Sequence, residues 1–230
     1  MCNHKTVSVV CGSLRCSDVR IKNRYFKDMI KITNIKFSVK IFGEWSLQRI
    51  QEHCARSFHK HSRLVGSKLI IRIPNQSKRI IVFPKKRGRL QHINFTGINQ
   101  FEEIQKILEL ATSYLNCEIT DFINLTIDNI WAKTDGLMKN MMEDNIKSLN
   151  LKSFLTVLKR ALDGADVRIT FRPESFSAIV LRGFNCTTLI YSTGSVIIVG
   201  ARDYSCILKI TELLSTISLC QASNFVLTLQ

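Results

Sequence analysis

The segment ITNIKF, Ile32–Phe37, has a counterpart in FINLTI, Phe122–Ile127, and each opens a run of the same kind. Each run reads strand, helix, several strands, helix, so the chain is a duplication in pattern rather than in strict sequence. Asn34 answers Asn124 90 residues later, Phe83 answers Tyr191 108 residues later, and Gly97 answers Gly200 103 residues later. The unequal offsets place an insertion in the second copy near Met138–Leu149. Strands outnumber helices and the hairpin turns are short, which predicts largely antiparallel sheets with helices on one face and the other face open. The expected fold is α+β: two pseudo-symmetric units joined into one long, curved antiparallel sheet.

The elements follow from periodicity. In Ile32–Ile41 the alternation puts Ile32, Asn34, Lys36, Ser38 and Lys40 on one face and Ile35, Phe37, Val39 and Ile41 on the other. EWSLQRIQEHCARSF predicts a helix packing through Trp45, Leu47, Ile50 and Cys54. SKLIIRI and KRIIVF are strands joined by the turn PNQS, PKKRG is a basic turn, and RLQHINFTG is another strand. NQFEEIQKILELATSYL predicts a helix with Asn99 as cap and a stripe through Phe101, Ile104, Ile107, Leu108, Ala111 and Leu115. The second copy gives a strand at Ile123–Trp131, a helix in MMEDNIKSLNLKSFLTVLKRALDG that ends at Gly164, four strands, and a helix from YSCILKITELLSTIS. The expected divisions are a basic extension at 1–31 with a strand at Thr6–Cys11, units at 32–118 and 119–220, and a tail at 221–230.

Charge separates the two halves. Residues 1–92 hold 21 Lys or Arg against 4 Asp or Glu, and residues 93–230 hold 12 against 14. Such a field draws polyanions, nucleic acid first and anionic membrane second. No apolar run reaches the length of a membrane span, and the N-terminal MCNHKTVSVVCGSLRCSD makes a weak signal peptide, so no membrane association is expected. The eight cysteines are too dilute for a disulfide scaffold and read as reduced thiols of an intracellular protein. His4, Cys11, Cys16, His53, His59 and His61 lack the spacing of a structural metal site, so no metal or other cofactor is expected. His53 and Cys54 are helix neighbours that face different ways and make no dyad. No phosphate-binding glycine loop or H-E-x-x-H motif is present, and no enzyme is expected.

RPESFSAIVLRG, Arg172–Gly183, followed by TTLIYSTGSVIIVGA, Thr187–Ala201, resembles the second repeat of the TATA-box-binding protein family. Pro173, Glu174, Phe176, Ile179 and Arg182 match its Pro-Glu-x-Phe turn and the strand after it. Leu189, Ile190, Gly194, Gly200 and Ala201 match the later strands, with Tyr191 in place of a phenylalanine. The first repeat is fainter. Asn34, the CARS segment at Cys54–Ser57, Arg72, Phe83 and Gly97 fall at matching places, and the likeness covers residues 32–219. The first repeat lacks the Pro-Glu-x-Phe turn, so its aromatic falls at Val65 or Gly66, and Lys36, Thr126 and Val199 replace family residues. This degree of departure resembles the divergent versions carried by large cytoplasmic DNA viruses.

The resemblance implies a saddle-shaped sheet with helices on its convex face. It implies a transcription initiation factor that binds double-stranded promoter DNA through the minor groove, wedges aromatics between base steps, and recruits a transcription-factor-IIB type factor and RNA polymerase. Wedging of this kind is a known property of the family itself and comes to this chain only with the resemblance. On this reading Asn34, Lys36, Thr96, Asn124, Thr126, Ile197 and Val199 meet the groove, and Phe83, Phe176 and Tyr191 supply the aromatics. Arg72, Lys85, Lys86, Arg87, Arg89 and Arg182 meet phosphates. The implied location is intracellular: a nucleus, a viral cytoplasmic factory or a virion. Two other functions stand beside it, an interaction scaffold of a transcription complex that has lost specific DNA binding, and an RNA-binding basic sheet. Apart from the resemblance, Phe176 packing a turn, Asn34 and Asn124 on a solvated face, and FPKKRG as a solvated turn are the plainer readings.

Overall fold

A computed structural model describes residues 29–41, 46–57, 62–84, 90–135, 137–138 and 148–227. The strand at Thr6–Cys11, Trp45, and the basic turn with Lys85, Lys86, Arg87 and Arg89 lie outside these. In the first copy the elements are β1 (Ile30–Ile41), α1 (Leu47–Ser57), β2 (Ser62–Val65), β3 (Lys68–Arg72), β4 (Arg79–Val82), β5 (Gln91–Ile98) and α2 (Glu103–Leu115). In the second they are β6 (Phe122–Thr134), α3 (Leu151–Ala161), β7 (Arg168–Arg172), β8 (Phe176–Gly183), β9 (Cys186–Tyr191), β10 (Val196–Ala201) and α4 (Tyr204–Leu227). The same order occurs twice. The contacts divide the chain into two compact units, one of Ile32–Trp131 and one containing Ala132–Gln230.

The saddle is corrected. Among the described residues ten strands form one sheet in the order β2-β3-β4-β5-β1-β6-β10-β9-β8-β7. That order is open: β2 and β7 are outer strands with one neighbour each, so the sheet neither closes nor curls back on itself. Closure or curling requires register stagger and further pairing at the edges, and edge strands of 4 and 5 residues supply none. The convex face for the helices goes with the saddle. The α+β class and the antiparallel pairing stand, since every pairing described within each unit is antiparallel.

In the first unit the alternation of β1 holds. Ile35, Phe37, Val39 and Ile41 are buried together with Leu69, Ile71, Ile80, Val82, Ile93 and Phe95 from the neighbouring strands. Phe37 and Phe95 are register partners whose rings stack with centroids 4.5 Å apart. α1 buries Ile50 and Cys54, and α2 buries Ile107, Leu108, Ala111, Tyr114 and Leu115. In the second unit Ile179, Leu181, Ile190, Val196 and Ile198 are buried together with Phe154 and Leu158 of α3 and Ile207, Ile210 and Leu214 of α4.

Three local expectations change. β2 carries no alternation, being mostly exposed, and escapes sequence reading. Asn99 does not cap α2 with its side chain; its backbone N–H donates instead to Glu103 Oε2 at 3.4 Å, and the helix starts later, at Glu103. The helix expected over residues 141–164 begins only at Leu151 within the described residues. Asn150 caps it, its Oδ1 accepting from the N–H groups of Lys152 at 3.1 Å and Ser153 at 3.2 Å.

Candidate nucleic-acid interface

The face of each unit opposite its core is set by register, because cross-strand partners project to the same side. In the second unit three rows result. Arg168 lies opposite Arg182, Arg182 opposite Thr187, and Thr187 opposite Val199. The next row runs Thr170, Val180, Leu189, Ile197. The third places Tyr191 opposite Ala178. Ala178 leaves room above the sheet, and the Phe176 and Tyr191 rings meet edge to face with centroids 6.3 Å apart. Phe176 is 42 % exposed, as a ring held by a turn rather than by the core. The turn is fixed by the Ser175 N–H donating to the Arg172 carbonyl at 3.0 Å. Arg168, Arg172, Phe176, Val180 and Arg182 line a shallow recess of about 240 Å³.

The first unit repeats the plan with different residues. Arg72 lies opposite Arg79, and Arg79 opposite Thr96. The middle row runs Arg63, Ile70, Ile81, Asn94, Ser38. At the far end the Phe83 ring meets His92 edge to face at 5.9 Å, with Lys40 opposite His92. The β2–β3 hairpin turns through Gly66 and Ser67 alone, so it has no counterpart of Phe176. His92 therefore stands as the aromatic neighbour of Phe83. Sequence reading missed it because the resemblance points to the hairpin, whereas the alternation of QHINFTG already put His92, Asn94 and Thr96 on one face. Arg79 was missed too, though Arg79, Ile81 and Phe83 alternate in KRIIVF.

The remaining expected residues are placed unevenly. Asn34 Oδ1 accepts from the Gly97 N–H at 2.7 Å and from Thr96 Oγ1 at 3.2 Å, which leaves its Nδ2 as the group it can offer a ligand. Asn124 is exposed at φ +55°, a left-handed conformation that Asn tolerates better than most residues. Thr126, two residues on, is exposed and donates to the Asn124 carbonyl at 3.2 Å. Lys36 is not a lone cation: its Nζ lies 3.7 Å from Asp128 Oδ2, and Ser38 Oγ donates to Asp128 Oδ1 at 3.1 Å. By contrast Arg72, Arg79, Arg168 and Arg182 have no carboxylate in ion-pair range among the described residues. Two like-charged cross-strand pairs without counter-ions are unfavourable in isolation.

Among the described residues no group of three or more His, Cys, Asp or Glu is placed to hold a metal ion. Burial pushes the Cys54 thiol up to about 11 and the Cys117 thiol up to about 12, both far from the thiolate form at neutral pH. His53 and Cys54 serve separate carbonyls, those of Ser113 at 2.9 Å and Tyr114 at 3.4 Å. No described helix is long and apolar enough to cross a membrane.

The fold and the open faces define a class, a duplicated α+β protein with one exposed sheet face per unit. Among solved structures the chain is similar to the TBP of Methanococcus jannaschii, with a TM-score of 0.52 and 20 % identity over 82 % of this chain and 97 % of that one. The likeness is one of fold. No family model matches the sequence, and no curated protein does.

Proposed function

We propose that the chain binds duplex DNA in the minor groove through the open faces of its two units and acts as a transcription initiation factor. One observation carries the reading. Each unit presents an arginine pair, without counter-ions among the described residues, at one end of its open face and an aromatic pair at the other. Arginines bind phosphate oxygens without reading sequence, exposed rings can enter a base step, and the apolar row Val180, Leu189, Ile197 suits the shallow groove floor. Likeness of fold to a TBP agrees with this use and with a non-enzymatic role. Recruitment of a transcription-factor-IIB type partner and of polymerase, an intracellular site of action, and a viral source belong to the same proposal and rest on the sequence resemblance.

The scaffold reading has its own observation: the Lys36–Asp128 pair puts a carboxylate on the face that would meet DNA. Gel-shift titration of the full chain against a duplex and a single-stranded RNA of equal length, at several salt concentrations, separates the readings. Duplex preference that weakens steeply with salt supports minor-groove binding. Preference for RNA, or no binding at low salt, removes it.

A further inference from the structure

The two open faces differ at their centres. In the second unit the middle row is Thr170, Val180, Leu189 and Ile197. In the first it runs from Ile70 and Ile81 into Asn94 and Ser38. Ser38 Oγ continues the row by its 3.1 Å hydrogen bond to Asp128. Asn94 and Ser38 are only 8 % and 6 % exposed, and Asn94 Oδ1 is buried without a hydrogen-bond partner among the described residues. Asp128 is an acceptor-only group of about four lone-pair sites. Ser38 engages one site on Oδ1, Lys36 Nζ lies 3.7 Å from Oδ2, and the Asp128 side chain keeps 28 % exposure. The acceptor this centre can offer a ligand is the Asp128 carboxylate.

The minor groove presents mostly acceptors as well. A·T and T·A pairs show only adenine N3 and thymine O2, and the one donor in the groove is the N2 amino group of guanine. A carboxylate set against an A·T pair leaves unpaired oxygens on both sides, and unpaired buried polar atoms are costly. Set against a G·C pair, Asp128, which keeps part of its side chain exposed, can accept from the guanine amino group, while Lys36 offsets the carboxylate's repulsion of the groove. We infer that the first unit selects a duplex with a guanine amino group facing Asp128, whereas the apolar centre of the second unit takes A·T. This rests on the minor-groove reading above.

The test needs no assumed site. The full chain is titrated against duplexes that carry one G·C pair at successive positions in an A·T background. Each is compared with its inosine·C twin, which lacks the amino group, and with a 2,6-diaminopurine·T twin, which adds it to an A·T-like pair. At one position or two adjacent ones, G·C and diaminopurine·T should bind roughly tenfold more tightly than inosine·C and A·T. Asp128→Asn should shrink that ratio to about threefold or less. The inference is overturned if the amino group has no effect or weakens binding at every position. It is also overturned if Asp128→Asn tightens binding to all duplexes equally, the behaviour of a carboxylate that merely repels DNA. Absence of binding to any duplex removes the minor-groove reading along with it.

Discussion

Gly97 and Gly200 close equivalent strands with nearly the same backbone, φ +84° and +81°, but in different surroundings. A Cβ built on Gly97 would lie 2.5 Å from the Ser77 carbonyl oxygen and 2.9 Å from its carbon. A Cβ on Gly200 would meet nothing within 4 Å. Gly200→Ala therefore carries only the left-handed backbone cost, about 1–2 kcal/mol. Gly97→Ala adds a backbone overlap that can be relieved only by moving the Ser77–Lys78 turn. That movement loosens the 2.7 Å hydrogen bond from Gly97 to Asn34 and the 3.3 Å bond from Ser77 Oγ to the Gly97 carbonyl. Two net hydrogen bonds are worth about 1–3 kcal/mol, so Gly97→Ala should cost about 2–5 kcal/mol in total. Urea unfolding followed by circular dichroism gives both values. Each kcal/mol lost should lower Tm by about 2–4 °C for a chain of this size. Equal losses for the two variants would refute this reasoning, because only the overlap at Ser77 distinguishes the two sites. Since Asn34 is oriented by Gly97, Gly97→Ala should also weaken DNA binding more than Gly200→Ala does.

The arginine pairs predict effects of opposite sign. Guanidinium groups about 6 Å apart repel by about 0.7 kcal/mol in water before salt screening, so Arg72→Gln should raise stability slightly while lowering the salt slope of duplex binding by about 0.9; a marked loss of stability with binding intact would show that Arg72 only packs. Phe176→Ala should reduce binding and base unstacking more than Phe83→Ala, read by fluorescent base analogues, because Phe176 is the more exposed ring and sits in its own turn; equal losses would mean that Phe83 with His92 wedges as well. Glu103 is held below the ordinary carboxylate range chiefly by the hydrogen bond from Lys78 Nζ, at 2.6 Å. A lowered folded-state value contributes stability above the unfolded-state value, and that contribution is lost as pH falls through about 4.3 and below. The urea midpoint should thus drop less between pH 6 and pH 3.5 in Glu103→Gln than in the parent, and parallel drops would refute this.

Strands and helices with a buried face were legible from the sequence because burial writes a period into it. β1 keeps its buried face at Ile35, Phe37, Val39 and Ile41, with Ser38 as the buried exception on the other face, and Ile107, Leu108, Ala111 and Leu115 mark α2. β2 was not legible, since Ser62–Val65 buries almost nothing and is held by backbone pairing to β3. The open order of the sheet, where a curved saddle was expected, was not legible either, because strand order and edge pairing are long-range properties that no local pattern encodes. At the candidate interface, Phe176 and Tyr191 were found as a pair because a turn and a strand end fix them locally. The link between Lys36 and Asp128 joins residues 92 positions apart and changes the meaning of the lysine. Arg79 and His92 were readable by alternation, but neither belongs to the residues that carry the resemblance.

The central claim is that the open faces occupy the minor groove of a duplex. Competition on a fluorescent duplex tests it most directly, with the full chain displaced by a small crescent-shaped ligand that fills only the minor groove and, separately, by one that fills only the major groove. Displacement by the minor-groove ligand alone, abolished when Phe176 and Arg182 are both replaced by alanine, is the predicted result. Displacement by the major-groove ligand alone, or undiminished binding with the minor groove filled, would contradict it.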